Sequence, residues 1–316
     1  MKDSFDIIDQ EIQSDLLHSP PVDFNFWKNA LILVVNVTLG AILAALFSVI
    51  LGVICGYDYN ELANIISGND PAADANLIRS ILGVNQAFTF LLPGLLTGYI
   101  IYNAKWIAKL FLNIAPATKN WVIAVLILLC SLPFIQYTYF LNKMIPLPES
   151  WLAQENSAEV ILELIMTYTA SYQVILNVVL IGVLPALGEE IIFRGLIQKN
   201  IEWATKNGHL AIWVSAFIFS FIHFQFEGFI PRLLLGGILG YLFYYTRNLW
   251  VPIIAHFFNN GAQVMADFAF KEELSTLDVE GVESVPWYAA IISLILIIAL
   301  FAWLKRNNPL PLKPSV

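Results

Sequence analysis

The sequence YQVILNVVLIGVLPALGEEIIFRGLI, residues 172–197, is apolar over most of its length and carries three charged side chains in its second half. A helix rises about 1.5 Å per residue, so about 20 apolar residues cross a hydrocarbon core roughly 30 Å thick. Further apolar runs lie at 27–55, 77–102, 120–142, 210–228, 232–246, 250–270 and 287–304. The pattern predicts an all-α, polytopic membrane protein with about eight transmembrane helices.

The composition agrees with this fold class and excludes several functions. Of the 316 residues, 58% are hydrophobic and 13% charged, whereas soluble domains average about 45–50% and about 25%. The 16 Lys and Arg residues form no basic patch, which argues against nucleic-acid binding. Cys55 and Cys130 both lie in apolar runs, so neither a disulfide framework nor a Cys-rich zinc site is expected.

The domain organisation follows from the apolar runs and the charges. Residues 1–26 are polar and acidic rather than basic, so we expect a cytoplasmic tail followed by an uncleaved first span. Residues 27–304 form the predicted transmembrane domain, and 305–316 a second cytoplasmic tail. With both termini inside, eleven of the 16 Lys and Arg residues face the cytoplasm, as the positive-inside rule favours. The opposite face receives four of them: Arg79, Lys143, Arg232 and Lys271. The expected location is the cell membrane.

Two segments outside the spans carry helical patterns. Residues 5–17 predict a short interfacial helix, with disorder as the alternative. Residues 149–168 have apolar side chains on one face and glutamates on another, which predicts a helix lying on the membrane. A lid or gate is the alternative for this second segment.

Three charges lie inside the run quoted first. Burying one charge at the bilayer centre costs at least about 2.5–3.5 kcal/mol, so such residues tend to be paired and functional. Glu190 and Arg194 are four residues apart and share a helix face, whereas Glu189 points about 100° away. The spacing predicts one paired and one free carboxylate. The alternative is that both glutamates merely neutralise Arg194 at the interface.

Two histidines in other apolar runs add to this group of polar residues. Phe219 and His223 share one face of the fifth run, and His256 and Asn260 share one face of the seventh. A carboxylate in a cavity of low dielectric can act as a general base, and imidazole can orient water or donate a proton. An imidazole and an amide can together stabilise an oxyanion.

A metal is the alternative way to activate the water. Glu189, His223 and His256 could hold a divalent ion such as zinc with an open position for water. The residues alone do not decide between metal-bound and metal-free water.

The motifs Glu189-Glu190-x-x-x-Arg194, Phe219-x-x-x-His223 and His256-x-x-x-Asn260 resemble the CPBP family. This family comprises the type II CAAX prenyl endopeptidases and the bacteriocin-processing or immunity proteins, also called the Abi family, and the resemblance covers about 170–270. It implies an eight-helix intramembrane endopeptidase, and members are commonly labelled metalloproteases. It also implies that Glu189 and His223 activate water, that His256 and Asn260 stabilise the oxyanion, and that Glu190, Arg194 and Phe219 support the site.

Three functional hypotheses follow. The first is an intramembrane endopeptidase that hydrolyses a peptide bond in a membrane-associated peptide or protein. The second is a non-catalytic membrane scaffold or bacteriocin-immunity protein, in which the same polar cluster serves helix assembly. The third is a proton-coupled transporter, for which buried Glu and His residues are also expected.

Overall fold

The computed structural model describes residues 19–70, 73–276 and 285–308, with the backbone alone described for 271–276. The described residues form helices and no strand. In chain order these are α1 (Phe26–Ile54), α2 (Tyr59–Ile66), α3 (Ala75–Lys109), α4 (Thr118–Lys143), α5 (Glu149–Ile165), α6 (Ser171–Thr205), α7 (Gly208–Phe221), α8 (Phe229–Thr246), α9 (Trp250–Thr276) and α10 (Trp287–Asn307). The predicted all-α class is confirmed. The predicted helix at 5–17 lies outside the described residues.

Six of the described helices, α1, α3, α4, α6, α8 and α10, are long and apolar enough to cross a membrane. The protein is therefore an integral, multi-pass membrane protein. The helix α7 is apolar but shorter, with 14 residues. Eight spans, which would include α7 and α9, stay a prediction.

The fifth predicted span, 210–228, is wrong at its carboxyl end. Helix α7 ends at Phe221, and a turn leads into α8 at Phe229. The backbone of Phe224 has a φ of 52°, in the left-handed region that interrupts a helix. The aromatic residues that made this stretch resemble a membrane helix instead line a turn.

Helix α6 lies at the centre of the bundle. Of its most apolar window, 56% is buried inside the protein, against 22% for α1 and for α10. The charged residues Glu189, Glu190 and Arg194 of α6 therefore face protein rather than lipid.

An apolar core joins α4 to α8, α9 and α10. Its buried residues include Ile123, Ile127, Leu128, Leu239, Leu242, Val251, Ala255 and Ile297.

The path of α6 is not regular. Two π-helical stretches, Val178–Val183 and Ile191–Gln198, flank the segment that holds both glutamates. Pro185 has no N–H to donate to the carbonyl of Ile181, four residues earlier. The side chain of Asn260 on α9 donates to this carbonyl at 3.0 Å. The irregular backbone is thus satisfied by a neighbouring helix, as the membrane interior requires.

The sequence did not predict that Arg79 is buried. The charge count assigned it to the outer face, but its side chain is fully buried in α3. Its guanidinium donates to the side chains of Asn177 and Asn76 at 3.0 and 2.9 Å. It also donates to the carbonyls of Ile165 and Thr167, at the end of α5, at 2.6 and 2.7 Å. Arg79 therefore fixes the carboxyl end of α5 to the bundle.

We expect Arg79→Leu to lower the free energy of unfolding by about 3 kcal/mol or more. Hydrogen bonds to a charged group contribute about 1.5–3 kcal/mol each, and the substitution would leave buried carbonyl groups without a donor. Thermal unfolding of the purified protein in detergent measures this change. Arg306→Leu makes the same chemical change at an exposed position of α10. Equal melting of the two variants would contradict the assigned role.

Candidate active site

A cavity of about 1180 Å³ opens within the bundle. Its wall includes Glu189 from α6, His223 from the turn after α7, and His256 and Asn260 from α9. Most of the remaining wall is apolar and comes from α3, α4, α5, α6 and α8. The structure therefore brings together all four side chains that the sequence offered for catalysis.

Glu190 is shared between two partners. Its Oε1 atom accepts a hydrogen bond from Arg194 Nη1 at 2.7 Å and another from His256 Nδ1 at 2.8 Å. All three residues are at most 3% exposed. The pairing with Arg194 matches the spacing along α6, whereas His256 lies 66 residues away on α9. Sequence reasoning gave no signal for this second bond.

The bond to Glu190 fixes the orientation of the His256 ring. A carboxylate accepts hydrogen bonds, so Nδ1 of His256 carries the proton and the ring presents Nε2 on its other side. This Nε2 lies 3.9 Å from Oε2 of Glu189. The separation is too long for a direct hydrogen bond, but one water can lie about 2.8 Å from both atoms.

Glu189 differs from its neighbour in its surroundings. It is 5% exposed and lines the cavity, and no side chain of the described residues donates a hydrogen bond to it. Glu190 is fully buried and holds two donors. The geometry thus leaves one carboxylate free towards the cavity.

His223 lies two residues beyond the end of α7 rather than within a helix. Its Nδ1 atom is 2.7 Å from the carbonyl oxygen of Phe219, to which it donates. The other ring nitrogen, Nε2, is left as an acceptor. The prediction of a helical position for His223 is wrong, because the chain turns before this residue.

The turn that carries His223 is held from two neighbouring helices. Asn142 at the end of α4 donates to the Phe226 carbonyl and accepts from the Ile230 amide, both at 2.8 Å. Glu155 of α5 accepts from the backbone amide of Glu227 at 3.0 Å. The position of the imidazole therefore depends on α4 and α5 as well as on α7.

Phe219 connects the charged and imidazole groups. The Arg194 guanidinium lies 5.0 Å from the centre of its ring. The rings of His223 and His256 meet it edge-on at 5.0 and 6.1 Å. A cation over an aromatic face is attracted by the quadrupole of the ring, and edge contacts between rings add packing. Phe219 thus contacts three of the polar residues that the sequence singled out.

Asn260 has a structural partner as well as a place at the cavity. One hydrogen of its amide is donated to Ile181, and its Oδ1 accepts from Asn259 Nδ2 at 3.1 Å. Its amide has a second hydrogen, which no described residue accepts. Asn259, which sequence reasoning did not select, lines the same cavity.

The alternative of a metal held by Glu189, His223 and His256 does not fit this arrangement. Within the described ranges, no three His, Cys, Asp or Glu side chains lie close enough together to hold a metal ion. Nδ1 of each imidazole already has an acceptor, so Nε2 is the one nitrogen that each ring could offer to an ion.

One further charged residue of the cavity was missed. Arg232, in the first turn of α8, lines the cavity together with Gln225. The sequence placed it only among the basic residues of the outer face. An arginine next to an apolar run can indicate a functional residue inside the bundle, but the sequence does not show whether its side chain faces water or a cavity.

Comparison with known proteins agrees with the three motifs. Residues 171–262 match the family model described as type II CAAX prenyl endopeptidase Rce1-like. The chain is also 31% identical over 85 residues to the uncharacterized protein YpbD of Bacillus subtilis (strain 168), a match over 26% of this chain and 40% of YpbD. No solved structure matches. Residues 171–262 are thus similar to the type II CAAX prenyl endopeptidase Rce1-like family, and this match agrees with the resemblance read from the three motifs.

We expect Arg194→Leu to lower the free energy of unfolding by about 3–5 kcal/mol, because it leaves the buried Glu190 carboxylate without its cation. Adding Glu190→Gln should restore part of this loss, since a neutral amide can still accept from His256. Thermal unfolding of Arg194→Leu, Glu190→Gln and the double variant in detergent gives the comparison. Purely additive losses would show that the two side chains do not interact energetically.

Proposed function

We propose that this protein is an intramembrane endopeptidase that hydrolyses a peptide bond in a membrane-associated peptide or protein. The observation that supports it best is the arrangement of two carboxylates around His256. Glu190 holds one ring nitrogen, and the other lies 3.9 Å from the free carboxylate of Glu189. The Rce1-like domain over 171–262 supports the same reaction at the level of the family.

In the proposed reaction, water bound beside Glu189 attacks the carbonyl carbon of the scissile peptide bond. Glu189 accepts the proton of the water as the new C–O bond forms, and this proton then passes to the leaving amine as the C–N bond breaks. The separation of Glu189 from His256 suits a water that contacts both side chains. The product is one new carboxyl group and one new amino group.

In this proposal, His223, His256 and Asn260 orient the water, stabilise the oxyanion and transfer the proton to the leaving amine. The resemblance paired His223 with Glu189 for water activation, whereas among the described residues His256 is the imidazole within 4.0 Å of Glu189. His256 Nε2 orients the water or, when protonated, donates to the oxyanion. The free hydrogen of the Asn260 amide is the second donor, and Nε2 of His223, an acceptor, can take the proton from Glu189 and pass it to the leaving amine.

We also propose that both termini are cytoplasmic and that the protein lies in the cell membrane. Lys119 Nζ donates to the Asn307 carbonyl at 3.4 Å, and Trp250 Nε1 donates to the Leu112 carbonyl at 3.0 Å. These bonds hold the ends of α3 and α10 beside the starts of α4 and α9. The basic residues near this end are Lys105, Lys109, Lys119, Arg247, Lys305 and Arg306. Their concentration supports a cytoplasmic assignment.

Replacing the free carboxylate tests the proposed chemistry. Glu189→Gln should leave the fold intact and remove most turnover, because the amide fills the same space but cannot accept a proton from water. Cleavage of a membrane-anchored reporter peptide in lipid vesicles, followed by mass spectrometry, measures the turnover. Glu159→Gln, at an exposed position of α5, is the matched control.

Glu190→Gln should behave differently. Oε2 of Glu190 is buried without a partner among the described residues, so the new amide N–H₂ would lack an acceptor there. We expect a lower melting temperature, with residual cleavage in the fraction that stays folded. A stable but inactive Glu190→Gln beside an active Glu189→Gln would show that the two roles are reversed.

A further inference from the structure

Arg232 differs from the two buried arginines, Arg79 and Arg194, in its partners. Arg194 pairs with Glu190, and Arg79 is surrounded by carbonyl and amide oxygens. Among the described residues, the guanidinium of Arg232 donates only to Gln225, to its backbone oxygen at 3.0 Å and to its side-chain oxygen at 3.1 Å. No carboxylate of the described residues lies within 4.0 Å of it.

A guanidinium without a carboxylate partner is energetically unfavourable at the position of Arg232. It lies in the first turn of α8, an 18-residue helix, where the helix dipole is itself positive. It is partly buried in a cavity whose wall is mainly apolar. A cation in such a place favours an anion as its partner.

Two acidic residues act on Arg232 from a distance. These are Glu155 on α5 and Glu189 on α6. Glu155 uses one carboxylate oxygen to accept from the Glu227 backbone. Glu189 is the residue assigned above to the water. Neither forms an ion pair with Arg232, so the guanidinium keeps donors for another anion.

We propose that Arg232, oriented by Gln225, is a binding subsite for a carboxylate of the peptide substrate. This inference rests on the proposed function, since it assigns a substrate feature to the same cavity. A guanidinium binds a carboxylate through two parallel hydrogen bonds, which fixes orientation as well as position. Arg232 is beyond ion-pair distance of Glu189, so the bound carboxylate lies away from the reacting bond. It thereby determines which peptide bond lies over Glu189.

The carboxylate has two sources, the carboxyl terminus of the substrate or an acidic side chain. Three fluorescent, membrane-anchored peptides of otherwise identical sequence separate them. The first has a free carboxyl terminus, the second a terminal amide, and the third a terminal amide with one internal glutamine replaced by glutamate. Binding to Glu189→Gln protein in lipid vesicles measures recognition without requiring turnover. Cleavage by the unaltered protein tests the proposed function separately.

We expect one of the two carboxylate peptides to bind on the order of tenfold more tightly than the neutral peptide, as a pair of charge-assisted bonds allows. Adding Arg232→Gln should abolish this preference without weakening binding of the neutral peptide. Arg232→Lys should retain part of this preference, because the positive charge remains but the two parallel N–H donors of the guanidinium are lost. Lys143→Gln is the matched control, since Lys143 contacts Glu227 at the same end of the bundle but does not line the cavity.

Glu155→Gln separates this proposal from a purely structural role. The amide can still accept from the Glu227 backbone, while the charge facing Arg232 is removed. The proposal predicts unchanged or tighter binding of the carboxylate peptide. Equal binding of all three peptides to the Arg232-containing protein would overturn it, as would the same loss of binding for every peptide in both Arg232→Gln and Glu155→Gln.

Discussion

A single oxygen atom, Oε1 of Glu190, accepts hydrogen bonds from the guanidinium of Arg194 and from the imidazole of His256. The three groups are buried in a chain that spans a membrane, where removing either donor would leave a charge or a polar atom without a partner. Helices α6 and α9 must therefore pack so that these side chains meet. The orientation of the His256 ring, and with it the geometry towards Glu189, follows from this contact.

The surrounding packing preserves the same arrangement. Arg194 also donates to the Gly236 carbonyl on α8 at 3.0 Å, and its guanidinium lies over Phe219 of α7. A Cβ atom at Gly236 would lie 3.1 Å from Ala216, so a larger residue would force α7 and α8 apart. Arg194 thus connects three helices, and its charge is neutralised by one carboxylate. The short distance between α7 and α8 depends on a residue without a side chain.

The sequence predicted what depends on local spacing. Residues four apart on a helix share a face, so the proximity of Glu190 to Arg194 could be read directly, as could the helical class. The bond between Glu190 and His256 could not, because it joins residues that only tertiary packing brings together. Arg79 and Arg232 were both assigned to the outer face, since a sequence does not distinguish an arginine at the interface from one inside the bundle. His223 was predicted to lie in a helix because the residues around it are as rich in aromatic side chains as a transmembrane helix.

The most direct test of the account is hydrolysis in water enriched in ¹⁸O. Purified protein in lipid vesicles is incubated with a membrane-anchored peptide, and both the fragments and the intact protein are examined by mass spectrometry. Direct attack by water predicts a peptide fragment whose new carboxyl group contains the heavy oxygen, with no mass added to the protein at any time. A covalent adduct on the protein, or an uncleaved peptide, would contradict the assignment of Glu189 as the base that activates water.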